Sequence, residues 1–495
     1  MQSVEFALTF GPFYGIFIVA IPYIKVNICV KSTNHALRGR ETKGNPMPFF
    51  KLGKARIPHR KNTADSTPLR MPPPAEVLIP TVMHIGAPAA PLVAPGDAVF
   101  VGQKIAEAGG YVSAPIHSSV SGTVKGIENL MRADGRTVSA IRIESDGLMT
   151  PDPSIEIPKA ESFDEFSAAV RASGIVGLGG AGFPTSVKLD AEKKGLIRTV
   201  IVNGAECEPY ITSDTQTMLH DGADIYDGIM LLKRFISAEE FIIGIESNKP
   251  ACIEKMRMLF AEEESHDVRV EKLPSTYPQG GEKMLIYNLT GREVPEGKLP
   301  ADVGCLVMNV TTLAFIGRYF RTGMPLVEKC VTVDGSAVLH PKNVICPIGT
   351  PIEALLSFAG GTAEDVGKVL YGGPMMGVAI CNVTDPILKN TNAITVLSAR
   401  DSLPKPTTPC IHCGRCVSTC PMRLDPTQYS KALNLPSDEM FVLLSEEKLG
   451  LCIECGCCSF VCPAGRPLVE NNRIAKAKFK AHLAANPVAV GNVKK

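Results

Sequence analysis

Between residues 76 and 144 the apolar positions come in short runs separated by turn residues. The stretch VLIPTVMHIGAPAAPLVAPGDAVFVGQKIAEAGGYVSAPIHSSVSGTVKGI is broken at Pro95-Gly96-Asp97, Gly109-Gly110 and Ser121-Gly122, a pattern of short strands and tight turns. A Pro-rich, acidic linker follows at residues 151–158. Beyond it, helical and strand patterns alternate: SFDEFSAAVRASG, TVIVNGAE, DIYDGIMLLKRFI and EFIIGIES. That alternation predicts an α/β layer with a largely parallel sheet. A second strand-and-turn region spans 330–397 and contains VTVDGSAV and GKVLYGGPMMGVAI. Residues 401–470 hold two cysteine runs. NRIAKAKFKAHLAAN then predicts a terminal helix with Lys476, Lys478 and Lys480 on a solvated face.

A chain of 495 residues is too long for one core and predicts three to five domains. Its 51 basic and 50 acidic residues leave a net charge of +1, which offers no field to attract nucleic acid or to hold the body on an anionic membrane. Residues 6–24 (FALTFGPFYGIFIVAIPYI) carry no charge and are just long enough to cross a bilayer. Lys25, Lys31, Arg38, Arg40 and Lys43 behind them would keep the body on the cytoplasmic side. Gly11, Pro12, Gly15 and Pro22 make that stretch a poor helix, and the domain pattern reads continuously only from Met47. Residues 1–46 are therefore expected to be an upstream extension, with a membrane anchor as the alternative.

The two cysteine runs narrow the chemistry. Cys410-Ile-His-Cys413-Gly-Arg-Cys416-Val-Ser-Thr-Cys420-Pro421 is repeated as Cys452-Ile-Glu-Cys455-Gly-Cys-Cys458-Ser-Phe-Val-Cys462-Pro463. C-x2-C-x2-C-x3-C-P is the spacing that holds paired [4Fe–4S] clusters, with the fourth cysteine of each run crossing to the other cluster. One cluster would use Cys410, Cys413, Cys416 and Cys462, the other Cys452, Cys455, Cys458 and Cys420. Structural zinc also suits C-x2-C pairs, but it needs neither the third cysteine nor the trailing Cys-Pro. Cys457 breaks the spacing and is expected to point away from the cluster. Cys29, Cys207, Cys252, Cys305, Cys330, Cys346 and Cys381 are expected to be free, buried or partly buried thiols. Eight thiolate ligands imply a reducing compartment, the cytoplasm.

The segment Gly174-Ile-Val-Gly177-Leu-Gly179-Gly180-Ala-Gly182-Phe183-Pro-Thr185 is dense enough in glycine for its backbone to approach a phosphate, and Lys188 could add a charge. A glycine-rich packing turn is the alternative. Asn203-Gly-Ala-Glu206-Cys-Glu208-Pro209 follows a predicted strand, where α/β sheets bind ligands. Tyr277-Pro-Gln-Gly280-Gly281-Glu282-Lys283 and Asn309-Val-Thr-Thr312 fit the same site.

PGDAVFVGQKI through SAPIHSSVSGTV resembles a barrel-sandwich hybrid, the fold of lipoyl and biotinyl carriers. The tip at Ala108-Gly109-Gly110 has no lysine to modify, so a swinging arm is not expected, and His84 and His117 are expected to be packed. GLGGAGFPT, NGAECEPY, YPQGGEK and VMNVTTLA resemble, in that order, the flavin/NADH subunit of respiratory complex I. Together with the barrel-sandwich pattern and the two ferredoxin runs, they resemble the C subunits of Rnf-type ferredoxin:NAD oxidoreductases, over about residues 54–480. The resemblance implies a multidomain α/β and α+β fold: an extension (1–46), a barrel-sandwich hybrid (47–150), an FMN/NAD-binding α/β domain (151–329), a ubiquitin-like domain (330–400), a helical 2[4Fe–4S] ferredoxin-type domain (401–470) and a terminal helix and tail (471–495).

It further implies loop glycines at Gly177, Gly179, Gly180 and Gly182, a nucleotide-stacking Phe183 and a loop Lys188. A flavin-contacting Asn203 and an acidic pair Glu206 and Glu208 follow, with Tyr277, Gly280, Gly281 and Glu282, then Asn309 and Thr312, completing the site. Complex I has arginines at the positions of Val176 and Leu178 and an aspartate at that of Ala205. The implied cofactors are two [4Fe–4S] clusters, non-covalent FMN and NAD(H). The implied partners are the complex's membrane and iron–sulfur subunits, with ferredoxin reached indirectly and Na⁺ or H⁺ moved by those partners. The implied location is peripheral, on the cytoplasmic face of the cell membrane, and no catalytic acid or base is implied. A cobalamin-reducing flavo-iron–sulfur protein and a relay scaffold with an empty flavin loop stand as alternatives.

Overall fold

The computed structural model describes residues 53–133, 135–262, 265 and 267–486. The uncharged stretch 6–24, the basic residues behind it and Cys29 lie outside the described residues. No helix among the described residues is long and apolar enough to cross a membrane.

The short-strand region folds as two facing sheets. Glu76–Pro80, Thr137–Ser145, Gly122–Met131 and Ala98–Val99 form one, and Ala90–Pro91, Lys104–Glu107 and Ile116–His117 the other, every pairing antiparallel. Alternation explains the core: Val77 and Ile79 lie opposite Ile143 and Ile141, all four fully buried, with Ile105 and Ile116 buried from the second sheet. The tip that lacks a lysine is also pinned. Arg171 donates to the carbonyls of Gly110 (2.7 Å) and Tyr111 (3.0 Å), fastening it to the helix Phe163–Ala172.

That helix opens the α/β domain with a reciprocal capping box between Ser162 and Glu165. The sheet runs Val268–Leu273, Glu240–Glu246, Thr199–Gly204, Cys305–Asn309, all parallel. TVIV and FIIGI read as unbroken apolar runs because these strands are buried on both faces. The ubiquitin-like region forms a mixed sheet in the order Leu69–Arg70, Lys342–Pro347, Glu328–Asp334, Ala393–Ser398, Val366–Tyr371, Val378–Ala379, with Ile352–Phe358 as its packed helix. The cysteine region is helical. Its helix Pro426–Ala432 buries Tyr429 beneath the terminal helix, which starts at Leu468 and runs to Ala485.

One arrangement was not legible in the sequence. The residues ahead of the barrel-sandwich strands form a strap across the flavin and ubiquitin-like domains. Ala55 exchanges two backbone hydrogen bonds with Tyr277, Asn62 donates to Asp334, and Leu69–Arg70 joins the ubiquitin-like sheet beside Val344 and Ile345. Lys61 holds its middle: the ammonium donates to the carbonyls of Glu206 (2.8 Å), Glu208 (2.7 Å) and Ile211 (2.5 Å). Burial lowers its pKa, and Glu206 opposes that shift. Lys61→Met leaves three buried carbonyls without that donor and should cost on the order of 3 kcal/mol. The measurement is the urea midpoint of the flavin domain, and an unchanged midpoint contradicts the strap.

Candidate functional site

The parallel sheet reverses direction once. From Thr199–Gly204 the chain builds outward on one side to Glu240–Glu246 and Val268–Leu273, then returns to the other side at Cys305–Asn309. At such a reversal the loops leave two neighbouring strands in opposite directions, opening a crevice at their carboxyl ends. Asn203 and Asn309 are register partners at that edge. The Asn203 amide donates to the Gly280 carbonyl at 2.9 Å, and its oxygen accepts the Ala205 N–H at 3.1 Å. Asn309 caps the helix Val310–Thr322 by accepting from Thr311 and Thr312 N–H, and it donates to Asp214 at 2.8 Å.

The glycine loop lies over this edge. Gly177 N–H donates to the Phe183 carbonyl at 2.9 Å and closes the loop. A Cβ on Gly179 would sit 2.4 Å from the Asn309 amide, so only glycine permits that approach. Gly180, at the exposed tip, would direct a Cβ into open space. Gly182 turns the chain back with φ +69°, and Phe183 follows half-buried. Thr312 fixes the near side, accepting the Leu178 N–H at 2.9 Å. Val176 and Leu178 are buried at 0% and 2% exposure, which explains their departure from arginine: the positions face the core. An open, backbone-lined tip above a switch-point crevice has the shape to take a nucleotide phosphate, so these residues fit FMN.

The other predicted residues close the crevice from the side. Lys188, on the short helix Thr185–Leu189, donates to Glu282 at 3.0 Å and to the Val307 carbonyl at 3.2 Å. Gly281 precedes the helix Glu282–Thr290, and a Cβ on Gly280 would meet the Ala205 carbonyl at 2.2 Å. The two acids have other work. Both Glu206 oxygens are taken by the start of the helix Ser213–His220, through Asp214 N–H at 2.8 Å and the Thr215 hydroxyl at 2.8 Å. Glu208 accepts from Met375 N–H at 3.1 Å, Met376 N–H at 2.8 Å and the Tyr277 hydroxyl at 3.3 Å. Burial raises its pKa, against the pull of the two N–H donors. Both carboxylates thus hold the walls in place, and their hydrogen bonds run to the protein's own groups.

Three buried lysines near the site carry no local motif. Lys249 pairs with Glu246 at 2.8 Å and donates to the Glu206 carbonyl at 3.2 Å. Lys329 donates to the Leu178 carbonyl at 2.9 Å; burial lowers its pKa to about 8, with Asp214 opposing. Burial raises Asp214 to about 6, and the Glu206 charge adds to the rise. Lys389 donates to Pro115 and Gly174 carbonyls, both at 2.7 Å, and burial lowers it to about 7. Lys329 had a signal: it shares a strand face with Val331 and Val333, which are core positions. His84 and His117 are buried as expected, and burial lowers His117 to about 3.

The cysteines of the two runs divide between two cavities. A cavity of about 270 Å³ is lined by Cys410, Cys413, Cys416 and Cys462, and a second, of about 20 Å³, by Cys420, Cys452, Cys455 and Cys458. Each run wraps its cavity in the same way: φ is positive at His412 and Gly414, and again at the equivalent Glu454 and Gly456. Amide donors point at sulfur, from His412 N–H to Cys410 (3.4 Å), Leu424 N–H to Cys420 (3.3 Å) and the Asn472 side chain to Cys452 (3.5 Å). Four thiols around the first cavity and five around the second, with amides toward sulfur, suit [4Fe–4S] clusters. Two expectations need correction. Lys476 is not on a purely solvated face, since it reaches back to the Cys452 carbonyl (3.0 Å) and Glu454 (2.7 Å). The other is Cys381, expected to be buried or partly buried, which is exposed in a surface bend. Cys457 lines the second cavity's wall, and its thiol is directed to the Tyr277 carbonyl at 4.0 Å.

Known families match along the length of the chain. An RnfC barrel sandwich hybrid domain matches residues 50–148, and a Nuo51 FMN-binding domain matches 170–318. An SLBB domain matches 330–379, and a 4Fe-4S dicluster domain 409–466. The chain is 42% identical over 376 residues to the C subunit of the Na(+)-translocating ferredoxin:NAD(+) oxidoreductase complex of Acetobacterium woodii, covering 74% of this chain and 84% of that one. The chain belongs to the RnfC family. The C subunit of the proton-translocating ferredoxin:NAD(+) oxidoreductase complex of Clostridium ljungdahlii is also 42% identical, over 75% of this chain and 81% of its own length. The C subunit of the ion-translocating oxidoreductase complex of Rhodobacter capsulatus is 39% identical, over 76% and 73%. An NAD+-reducing [NiFe]-hydrogenase chain superposes with a TM-score of 0.45 at 18% identity, covering 67% of each chain. For this RnfC chain the crossed pattern makes a sharp expectation. Anaerobic reconstitution should give about eight irons, Cys420→Ser should lose the cluster of Cys452, Cys455 and Cys458, and Cys457→Ser should keep its iron. Iron loss in Cys457→Ser contradicts the assignment.

Proposed function

We propose that this chain passes electrons between two [4Fe–4S] clusters and NAD(H) through non-covalent FMN, as the C subunit of a membrane-associated complex whose partner subunits move Na⁺ or H⁺. The observation that carries the reading is the contact between the flavin crevice and the second cysteine run. Ala55, Tyr277, Cys455 and Cys457 form one buried cluster, edged by Cys207, Met375 and Ile453. Gly280 N–H donates to the Cys207 sulfur at 3.3 Å, and a Cβ on Gly281 would touch Ile453. The wall of the crevice is thereby the wall of the second cluster site.

Bound FMN supplies the conversion between the hydride of NADH and single electrons. Backbone donors at the exposed tip, residues 179–181, hold the phosphate, and Phe183 offers a ring for the nicotinamide nucleotide. The second cluster site, packed against residues 277–281, is the near one. The first, with Cys410 and Cys413 exposed, faces a partner. Ferredoxin exchanges electrons with this chain through an iron–sulfur partner, and docking is at the cytoplasmic face of the membrane.

The test is anaerobically purified protein assayed for acid-released FMN and for NADH oxidation with an artificial acceptor. Gly180→Val should abolish both while iron content stays, because its side chain enters the phosphate position. Phe183→Ala should keep FMN and raise the KM for NADH. Wild-type protein with full iron, no FMN and no NADH oxidation would contradict the function.

A further inference from the structure

The glycine loop belongs to the flavin domain, yet its carbonyls are held from outside that domain. Gly174 accepts from Lys389 at 2.7 Å, Leu178 from Lys329 at 2.9 Å, Gly180 from the Asn390 side chain at 3.0 Å and Gly182 from the Ile85 N–H at 3.2 Å. Three of the four donors come from the ubiquitin-like region and the fourth from the barrel sandwich. Taken along the loop, the tethered positions are 174, 178, 180 and 182, so from Leu178 onward every second carbonyl is held. Between them, Leu178 N–H is bound by Thr312, and residues 179–181 are exposed.

This pattern matters because a glycine-rich loop is costly to order. Glycine loses more conformational freedom on folding than other residues, and a phosphate that had to organise the loop would bind correspondingly more weakly. A peptide unit presents its N–H and C=O in opposite directions. Fixing alternate carbonyls toward the flanking domains therefore turns the intervening N–H groups the other way, which is the arrangement an anion needs. The cations at two of the tethers reinforce the polarity. Lys329 stands at the carbonyl of Leu178, whose own side chain lies in the hydrophobic core.

We propose that Lys329, Lys389 and Asn390 of the ubiquitin-like region are positioning residues for the FMN phosphate, presetting the polarity of the glycine loop, with the barrel sandwich completing the clamp through Ile85. This rests on the reading of the loop as the FMN site. It assigns the two flanking domains a task in cofactor binding: the barrel sandwich, whose tip has no lysine, braces the loop from one side while the ubiquitin-like region braces it from the other. Neither Lys329 nor Asn390 need touch the flavin. Each acts through one carbonyl.

Asn390 provides the cleanest test because it is partly exposed and its amide makes one hydrogen bond to the loop. The probe is FMN itself, titrated by flavin fluorescence into flavin-stripped, iron-loaded full-length chain. Asn390→Ala should weaken FMN by about fivefold to tenfold, the scale of one lost hydrogen bond, while thermal stability without flavin and iron content remain as in the wild type. Asn390→Asp should weaken it further, since a carboxylate cannot donate to the Gly180 carbonyl and adds charge near the phosphate. Lys329→Met should lose more than Asn390→Ala, and Lys329→Arg, which keeps a cationic donor, should recover part of it. Riboflavin, which lacks the phosphate, should bind all the variants alike. Equal FMN affinity in the wild type and Asn390→Ala overturns the clamp, as does an equal loss for riboflavin. If wild-type protein binds no FMN, the function itself fails and the clamp falls with it.

Discussion

Tyr277 stands where two kinds of electron carrier have to meet. Its hydroxyl reaches Glu208, its backbone pairs with Ala55, and its carbonyl faces the Cys457 thiol. A hydride carrier and one-electron clusters communicate only through a converter placed close to both, so the separation across this contact governs the rest. Much of the surrounding structure holds it closed. Glu208 clamps the turn at Met375 and Met376, and Lys61 fastens the carbonyls on both sides of Cys207. Lys476 ties the second cysteine run to the terminal helix.

The acids at this site show why residue type alone is a poor guide to role. Glu206 and Glu208 sit at a strand's carboxyl end, where a carboxylate could meet a nicotinamide. Glu206 instead satisfies buried N–H groups that would cost about 1–3 kcal/mol apiece if left unpaired, and Glu208 accepts from the half-buried Met375 and the exposed Met376 N–H. In this structure both carboxylates fix the walls of the crevice. That division suits a flavin site, in which the cofactor does the chemistry and the protein supplies orientation and electrostatics.

The elements were largely legible because their signals are local. Two cysteine runs with fixed spacing, TVIV and FIIGI as doubly buried strands, and a capping box at Ser162 all carry their reasons within a few residues. Cys462 lines the cavity of the first run and Cys420 that of the second, the division that the spacing of the runs led one to expect. The strap and the buried lysines were not. Lys61 meets partners 145 to 150 positions away and Lys389 partners 215 and 274 away, so no window of sequence contains both ends. Lys329 could have been found, being a charge in phase with Val331 and Val333. Spacing set Cys457 apart from the ligand set but could not show what it packs against: its thiol is directed to the Tyr277 carbonyl of the flavin domain.

The order of the two clusters is the sharpest consequence of that contact. Chemically reduced, FMN-loaded protein can be mixed rapidly with NAD⁺ while each cluster is followed by electron paramagnetic resonance. A Cys413→Ser chain with a damaged first cluster provides the comparison. If the second cluster is the neighbour of the flavin, NAD⁺ will reoxidise it in that variant as fast as in the intact chain. A second cluster that stays reduced once the first is damaged would place the first cluster nearer the flavin and contradict the account.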